Sequence, residues 1–182
     1  VKARAFVPGV EGDYVSSLAV QKLLPHASVT IANKLPGLAL KYYEGNWDKL
    51  PDFDSLKVLK DTITDTIAVP TYAADSLYGL VMKGYINVPS EGLYEFGLSS
   101  DDGSRLWIGD SLVVDNDGLH GSGELTGQIA LKPGLHPILI KMFQCKGDEA
   151  LDLSITGPGI EHQVVPRSML VREVPAKKRG KK

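Results

Sequence analysis

Cysteine is all but missing: Cys145 stands alone, and one thiol can close no intrachain disulfide. The redox compartment is therefore not revealed. Beside Phe143 the thiol reads as a small buried hydrophobe rather than a nucleophile. No apolar run approaches the roughly 20 residues of a membrane-spanning helix, so membrane insertion is not expected. No Asn-x-Ser/Thr acceptor occurs. Recognisable catalytic machinery is also lacking. The histidines, His26, His120, His136 and His162, are scattered without metal-ligand spacing, and there is neither a Gly-x-Ser-x-Gly elbow nor a Cys/His cluster. Carboxylate pairs are too common among 22 acids to argue for a glycosidase dyad. The chain by itself is not expected to be an enzyme.

Positive charge is scarce outside one place. The formal net charge is -2, but the tail after Pro175, AKKRGKK, holds five of the 20 basic residues. The remainder carries 15 basic against 22 acidic residues, a net of -7, which argues against a nucleic-acid groove. Residues 175–182 read as a basic flexible tail. Hydrophobic residues make up 43% of the 182, enough for a packed core.

Helix signals are weak. Tyr14–Leu24 allows a short helical piece, and Trp47–Leu50 and Pro51–Leu59 are faint candidates, with Asp52 or Asp54 to cap. Short strands dominate: Val1–Val7, Ser28–Asn33, Leu38–Tyr43, Thr66–Val69, Tyr78–Val88, Gly92–Ser99, Ser104–Ile108, Ser111–Asp115, Gly123–Leu131, Gly134–Gln144, Leu151–Thr156 and Gln163–Pro166. Tyr94, Phe96 and Leu98 alternate with Glu95 and Gly97, the period-2 pattern of a half-buried strand. Turn residues punctuate these runs at spacing that suits a sandwich or barrel. The polar, Asp-rich Leu50–Val69 reads as a long loop outside the core. Residues 1–34 read as the tail of a preceding β-sandwich domain or a linker, and 35–174 as the main domain.

Two acidic turns carry the chemical interest. Asp101-Asp102-Gly103 ends one strand. Two adjacent carboxylates repel unless they are solvated, hydrogen-bonded or metal-bound. A solvated Asx hairpin turn and a hard-cation site both suit them. Asp115-Asn116-Asp117-Gly118, followed by His120, is the second. Its spacing is not that of an EF-hand, because Thr126 occupies the twelfth position from Asp115. As a structural element it is a tight turn with its glycine at an unusual backbone angle. Gly121-Ser122-Gly123 with Gly127 is no phosphate loop, since strand and turn follow rather than a helix. Trp47 and Trp107 suit either sugar stacking or packing.

From Leu35 to about Val171 the chain resembles a PA14 domain. The likeness rests on GLYEFGLSSDDGSRLWIGDSLVVDNDGLHG, then QIALKPGLHPILIKMFQCKG, then LDLSITGPG, in that order and spacing. The opening GLALKYYEGNWDKLPDFDSL resembles the first segment of such domains in bacterial glycosidases. The resemblance implies an antiparallel β-sandwich of barrel-like shape. In sugar-binding members an adjacent Asp-Asp pair, joined by a cis peptide, chelates calcium, and the calcium bridges to sugar hydroxyls. By that resemblance Asp101 and Asp102 are the metal ligands. A second loop normally adds an Asn and main-chain oxygens. Here that loop is Cys145–Ala150, which has no Asn; either Asp148 or Glu149 substitutes, or the set is incomplete.

The start, VKARAFVPGVEG, resembles the closing strand of the small sandwich that follows the catalytic barrel in bacterial β-N-acetylhexosaminidases of the glycoside hydrolase family 20 type. Together the resemblances imply a non-catalytic, carbohydrate-binding accessory module of an exported enzyme, periplasmic, cell-surface or extracellular. Its expected partners are a glycan and the parent's catalytic domain. The residues expected to meet sugar are Asp101, Asp102, Trp107, Asp117, His120 and Asp148. The alternative is a structural spacer packed on that catalytic domain.

Overall fold

The structure is a computed structural model that describes residues 2–5, 14–17 and 23–174. Its elements are almost all strands. In chain order these are β1 (Lys2–Ala5), β2 (Tyr14–Ser17), β3 (Lys34–Pro36), β4 (Leu38–Glu44), β5 (Lys60–Thr64), β6 (Tyr78–Val88) and β7 (Gly92–Asp101). They continue as β8 (Ser104–Ile108), β9 (Ser111–Asn116), β10 (Gly123–Leu131), β11 (Gly134–Gln144), β12 (Ala150–Gly157), β13 (Ile160–Val164) and β14 (Leu170–Glu173). Among the described residues only two single 3-10 turns, Phe53–Ser55 and Arg167–Met169, interrupt them.

Two antiparallel sheets face each other. The smaller has the order β10-β7-β12-β13. The larger runs β3-β14-β6-β11-β8-β9, with β4 and β5 added on the side of β6 that β14 also uses. Its spine is the full-length pairing of β6 with β11, from Gly134 opposite Val88 to Gln144 opposite Tyr78. Alternation fixes what each sheet buries. Tyr94, Phe96 and Leu98 on β7 and Leu151, Leu153 and Ile155 on β12 meet Leu80, Met82, Ile138 and Ile140 of the larger sheet in one core. Burying each such side chain contributes about 1.5–3 kcal/mol. β10 and β9 link the sheets at one edge, where Gly127 lies so close to the Val113 carbonyl that any Cβ would collide with it. The architecture is the expected antiparallel sandwich, and the sheets do not close into a barrel.

Several expected elements differ. Tyr14–Ser17 is a strand paired with β1, not the start of a helix; residues 18–22 of that expectation lie outside the described residues. Ser28–Asn33 forms no strand; Val29 makes one isolated bridge to Leu135. The strand expected at Thr66–Val69 is at Lys60–Thr64, and the one expected at Gln163–Pro166 is at Ile160–Val164. Trp47–Leu50 is not helical, and Pro51–Leu59 yields only the turn at Phe53, where Asp52 Oδ1 accepts the Asp54 N–H. Nor is Leu50–Val69 outside the core: Phe53 and Ile67 are buried. Phe53 is a single apolar residue between two aspartates, so periodicity cannot mark it, and Ile67 opens an apolar run, Ile67–Val69, too short to carry a period. The basic tail lies outside the described residues.

Candidate functional site

Four segments meet at one end of the sandwich: 45–50 after β4, 101–104 between β7 and β8, 115–121 after β9, and 145–150 between β11 and β12. The Asp-Asp-Gly turn is their hub. The peptide bond between Asp101 and Asp102 is cis. Asp102 is 5% exposed, and both of its carboxylate oxygens accept main-chain hydrogens. Oδ1 takes the His120 N–H at 3.1 Å, and Oδ2 takes the Cys145 N–H at 2.8 Å. Charge-assisted bonds of this kind are among the stronger ones. One side chain thus ties the second acidic turn and the β11–β12 loop to the end of β7.

Gly103 completes the motif for a steric reason. A Cβ there would lie 2.5 Å from Phe143 Cε1 and 2.6 Å from the Gly118 nitrogen. The two acidic turns therefore touch backbone to backbone, which only glycine allows. Gly118 itself sits at φ +123°, as expected of a tight turn. Beneath the turn, Ser100 Oγ and Ser104 Oγ are 2.7 Å apart, and Asn116 Nδ2 donates to Ser100 Oγ at 3.2 Å. This buried polar set holds the ends of β7, β8 and β9 in register.

Asp101 is 6% exposed. Burial pushes its carboxyl above the usual carboxylate range, the neighbouring Asp102 charge adds to that, and the Ser122 N–H opposes both. His120 behaves differently. Its Nδ1 lies 2.9 Å from the Gly121 carbonyl and its Nε2 lies 3.0 Å from the Asn116 carbonyl. Burial pulls its pKa down, but these two carbonyls and the carboxylates of Asp102 and Asp101 outweigh burial and raise it. With an oxygen before each ring nitrogen, the imidazolium, a donor at both, is the form that fits.

The other expected residues fall in different places. Asp117 faces inward to the scaffold: its Oδ1 accepts the Leu50 N–H at 2.8 Å and its Oδ2 lies 3.3 Å from Arg105 Nη2. Asp148 is exposed on the β11–β12 loop, close enough for its charge to raise Asp101 further. Its carbonyl accepts Gln144 Nε2 at 2.8 Å. Glu149 Oε2 accepts the Tyr78 hydroxyl at 2.9 Å. Burial first, and then this bond, push the tyrosine far above its ordinary value. Trp107 is three residues along β8 from the turn, roughly 10 Å, on the outer face of the larger sheet under Lys141. Trp47 packs against Phe53 with ring centroids 6.0 Å apart.

Asn46 was not expected here. Its Oδ1 lies 3.5 Å from Cys145 Sγ, which brings an amide oxygen from the β4 side to the loop that lacks one. The backbone around it is pinned by Leu77, which takes the left-handed φ of 61°, accepts the Gly45 N–H at 2.8 Å and donates to the Cys145 carbonyl at 3.3 Å. Nothing local in the sequence marks this approach.

The donor chemistry of the turn suits a hard divalent cation. Two buried neighbouring carboxylates have no Lys or Arg ion pair among the described residues, and each Asp102 oxygen retains a lone pair after its N–H bond. Among the described residues no group of three or more His, Cys, Asp and Glu forms there. The other oxygens of a six- to eight-coordinate calcium site would come from amides and main-chain carbonyls. Asn46 and the 145–150 loop, whose Cys145 N–H is bonded to Asp102, are candidate sources.

Comparison with known proteins places this geometry. A family described as "PA14 domain" matches residues 34–168. A search of curated protein sequences returned no match. Among solved structures, the PA14 domain of the MpAFP antifreeze protein superposes with a TM-score of 0.67 at 18% identity, covering 80% of this chain and 95% of that one. The PA14 sugar-binding domain from an RTX adhesin gives 0.64 at 16% identity, covering 76% and 99%. The A domain of epithelial adhesin 9 from Candida glabrata, in complex with Galβ1-3GlcNAc, gives 0.64 at 14% identity, covering 82% and 96%. At such identities these likenesses speak for the fold.

Proposed function

The chain belongs to the PA14 domain family, and from that premise we propose that it is a non-catalytic carbohydrate-binding module whose sugar site is the acidic end of the sandwich. The observation that carries this reading is the convergence of Asp101, Asp102, the Asn46 amide and the Asp148 loop at one end of a rigid scaffold. The solved relatives described as sugar-binding or crystallised with a disaccharide support it. Asp101 and Asp102 would hold calcium, with Asn46 and the 145–150 loop completing the set. When bound, calcium would supply a Lewis-acidic contact to vicinal sugar hydroxyls. Asp148 and the 115–121 turn would line the rim, and His120 would set the position of the turn. Asp117, already bound to Leu50 and Arg105, would act on the rim's shape rather than on sugar.

The wider setting belongs to the same proposal. Residues 35–174 would be the module and residues 1–34 the end of a preceding domain. The parent would be an exported glycoside hydrolase of the β-N-acetylhexosaminidase type. Holding glycan near a tethered active site raises its local concentration, so weak binding suffices. The support for this part is the likeness of VKARAFVPGVEG to a segment of those enzymes.

A second reading has its own observation. Asp102 already accepts two main-chain bonds, so the acid pair has a structural task without any ligand. The domain would then be a spacer packed on the catalytic domain. Calorimetry with chitin and host-glycan oligosaccharides, with and without calcium, separates the two. Heat that needs calcium and disappears in the Asp101→Ala/Asp102→Ala variant supports the module. No heat with any sugar and no calcium-dependent rise in melting temperature leaves the spacer.

A further inference from the structure

The outer face of the larger sheet carries a cation cluster that the acidic end does not explain. Ala39, Lys41 and Tyr43 of β4, Val81 and Lys83 of β6, and Leu139 and Lys141 of β11 line a groove of about 210 Å³, with Asp54 at its edge. The register places Lys41, Val81 and Lys141 in one row and Ala39, Lys83 and Leu139 in the next. Adjacent strands are ~4.8 Å apart, so Lys41 and Lys141 stand about 10 Å from each other with Lys83 diagonal to both.

Like charges gathered on one sheet face repel, and the chain places these three on a body that is otherwise acidic. Lys41 and Lys141 are also half-buried. Asp61 of β5 stands opposite Lys41 in the same row, yet among the described residues none of the three lysines has a carboxylate within 4.0 Å. Arg105, next in the Lys41 row, is by contrast neutralised by Asp115 at 2.7 Å. The floor between the lysines is small and apolar, Ala39, Val81 and Leu139. Trp107 extends it beside Leu139, with Lys141 Nζ 5.8 Å from the ring centroid.

We propose that this face is a second binding site, for an anionic saccharide whose sulfate or carboxylate groups are held by Lys41, Lys83 and Lys141 while a ring lies on the Val81–Leu139–Trp107 floor. The chemistry of the wall selects the anion, and the flat apolar floor with an aromatic margin selects a pyranose face. A peptide is the poorer fit. β4, β6 and β11 are each paired along the groove, so no free strand edge offers main-chain hydrogen bonds there. A long polyanion would meet the acidic remainder of the body. The site is independent of the acidic end and of calcium.

The test titrates the whole chain, in EDTA, with a sulfated tetrasaccharide, a uronic-acid tetrasaccharide, an uncharged N-acetylglucosamine tetramer and hexaglutamate. At least one of the two charged sugars is expected to bind, and the arm that responds identifies sulfate or carboxylate. Affinity should fall about tenfold or more in K41Q/K83Q/K141Q, and should weaken as salt rises from about 50 to about 300 mM. D101N/D102N should bind as the parent does. The single exposed change Lys83→Glu reports the same loss if the triple variant folds poorly. Failure of both charged sugars to bind, affinity retained in the lysine variants, dependence on Asp101 and Asp102, or equal binding of hexaglutamate would each overturn the proposal.

Discussion

The main-chain N–H of Cys145 donates to Asp102 Oδ2 across 43 positions of sequence, at 2.8 Å. With the matching bond from His120 to Oδ1, it makes one buried carboxylate the joint between three loops.

Truncating that joint leaves two donors without acceptors. Asp102→Ala should lower unfolding free energy by roughly 2–4 kcal/mol, and Asp102→Asn, which retains one oxygen, by about half as much. Urea melts in EDTA measure both. A wild-type midpoint for the alanine variant would mean the loops hold together by other means.

Asp101 is expected to behave in the opposite sense. Burial and the Asp102 charge raise its pKa, so its ionised form opposes folding. The sign is clear: a carboxyl raised on folding contributes most below its unfolded pKa, and that contribution is lost as pH rises through the folded value. At neutral pH, Asp101→Asn should therefore stabilise the metal-free protein by about 0.5–2 kcal/mol while abolishing any calcium-dependent rise in melting temperature. Destabilisation by this change would show that the charge serves the scaffold.

His120 reports a second pH dependence. Its pKa is raised in the folded protein, so its stabilisation is fully present below the unfolded value, about 6.5, and fades as pH rises through the folded one. Comparing denaturation of wild type and His120→Gln across this window should show the difference shrinking toward alkaline pH. An NMR titration should place His120 above a free imidazole; a titration at or below that value would refute the assignment of both ring nitrogens as donors.

Gly103 and Gly121 are a matched pair. An added methyl at 103 meets Phe143 and the Gly118 backbone, whereas at 121 it meets nothing within 4 Å. Gly103→Ala should cost about 1–3 kcal/mol and Gly121→Ala under about 0.5 kcal/mol. Equal thermal melts for the two would contradict the close contact of the acidic turns.

The strands around the site were legible because their cause is local. Tyr94, Phe96 and Leu98 alternate in sequence because they alternate across a pleat, and all three are fully buried. The paired carboxylates also announced themselves, since adjacent acids at a strand end need a reason. β3 and β14 were not legible. Each is three or four residues long, and each exists because the other, or β6, lies alongside to accept its hydrogen bonds. Trp107 shows the same limit, as its type suits sugar or packing and only the sheet decides which way it faces.

Composition and local pattern thus determined that this chain is all-β and acidic in its body, since these follow from residue types and from a period of two. Tertiary structure alone decided that Asn46 approaches Cys145, that Asp117 is tied to Leu50 and Arg105, and that three lysines from separate strands share one groove. These contacts join residues far apart in the chain, and their positions depend on strand register, which the whole core sets at once.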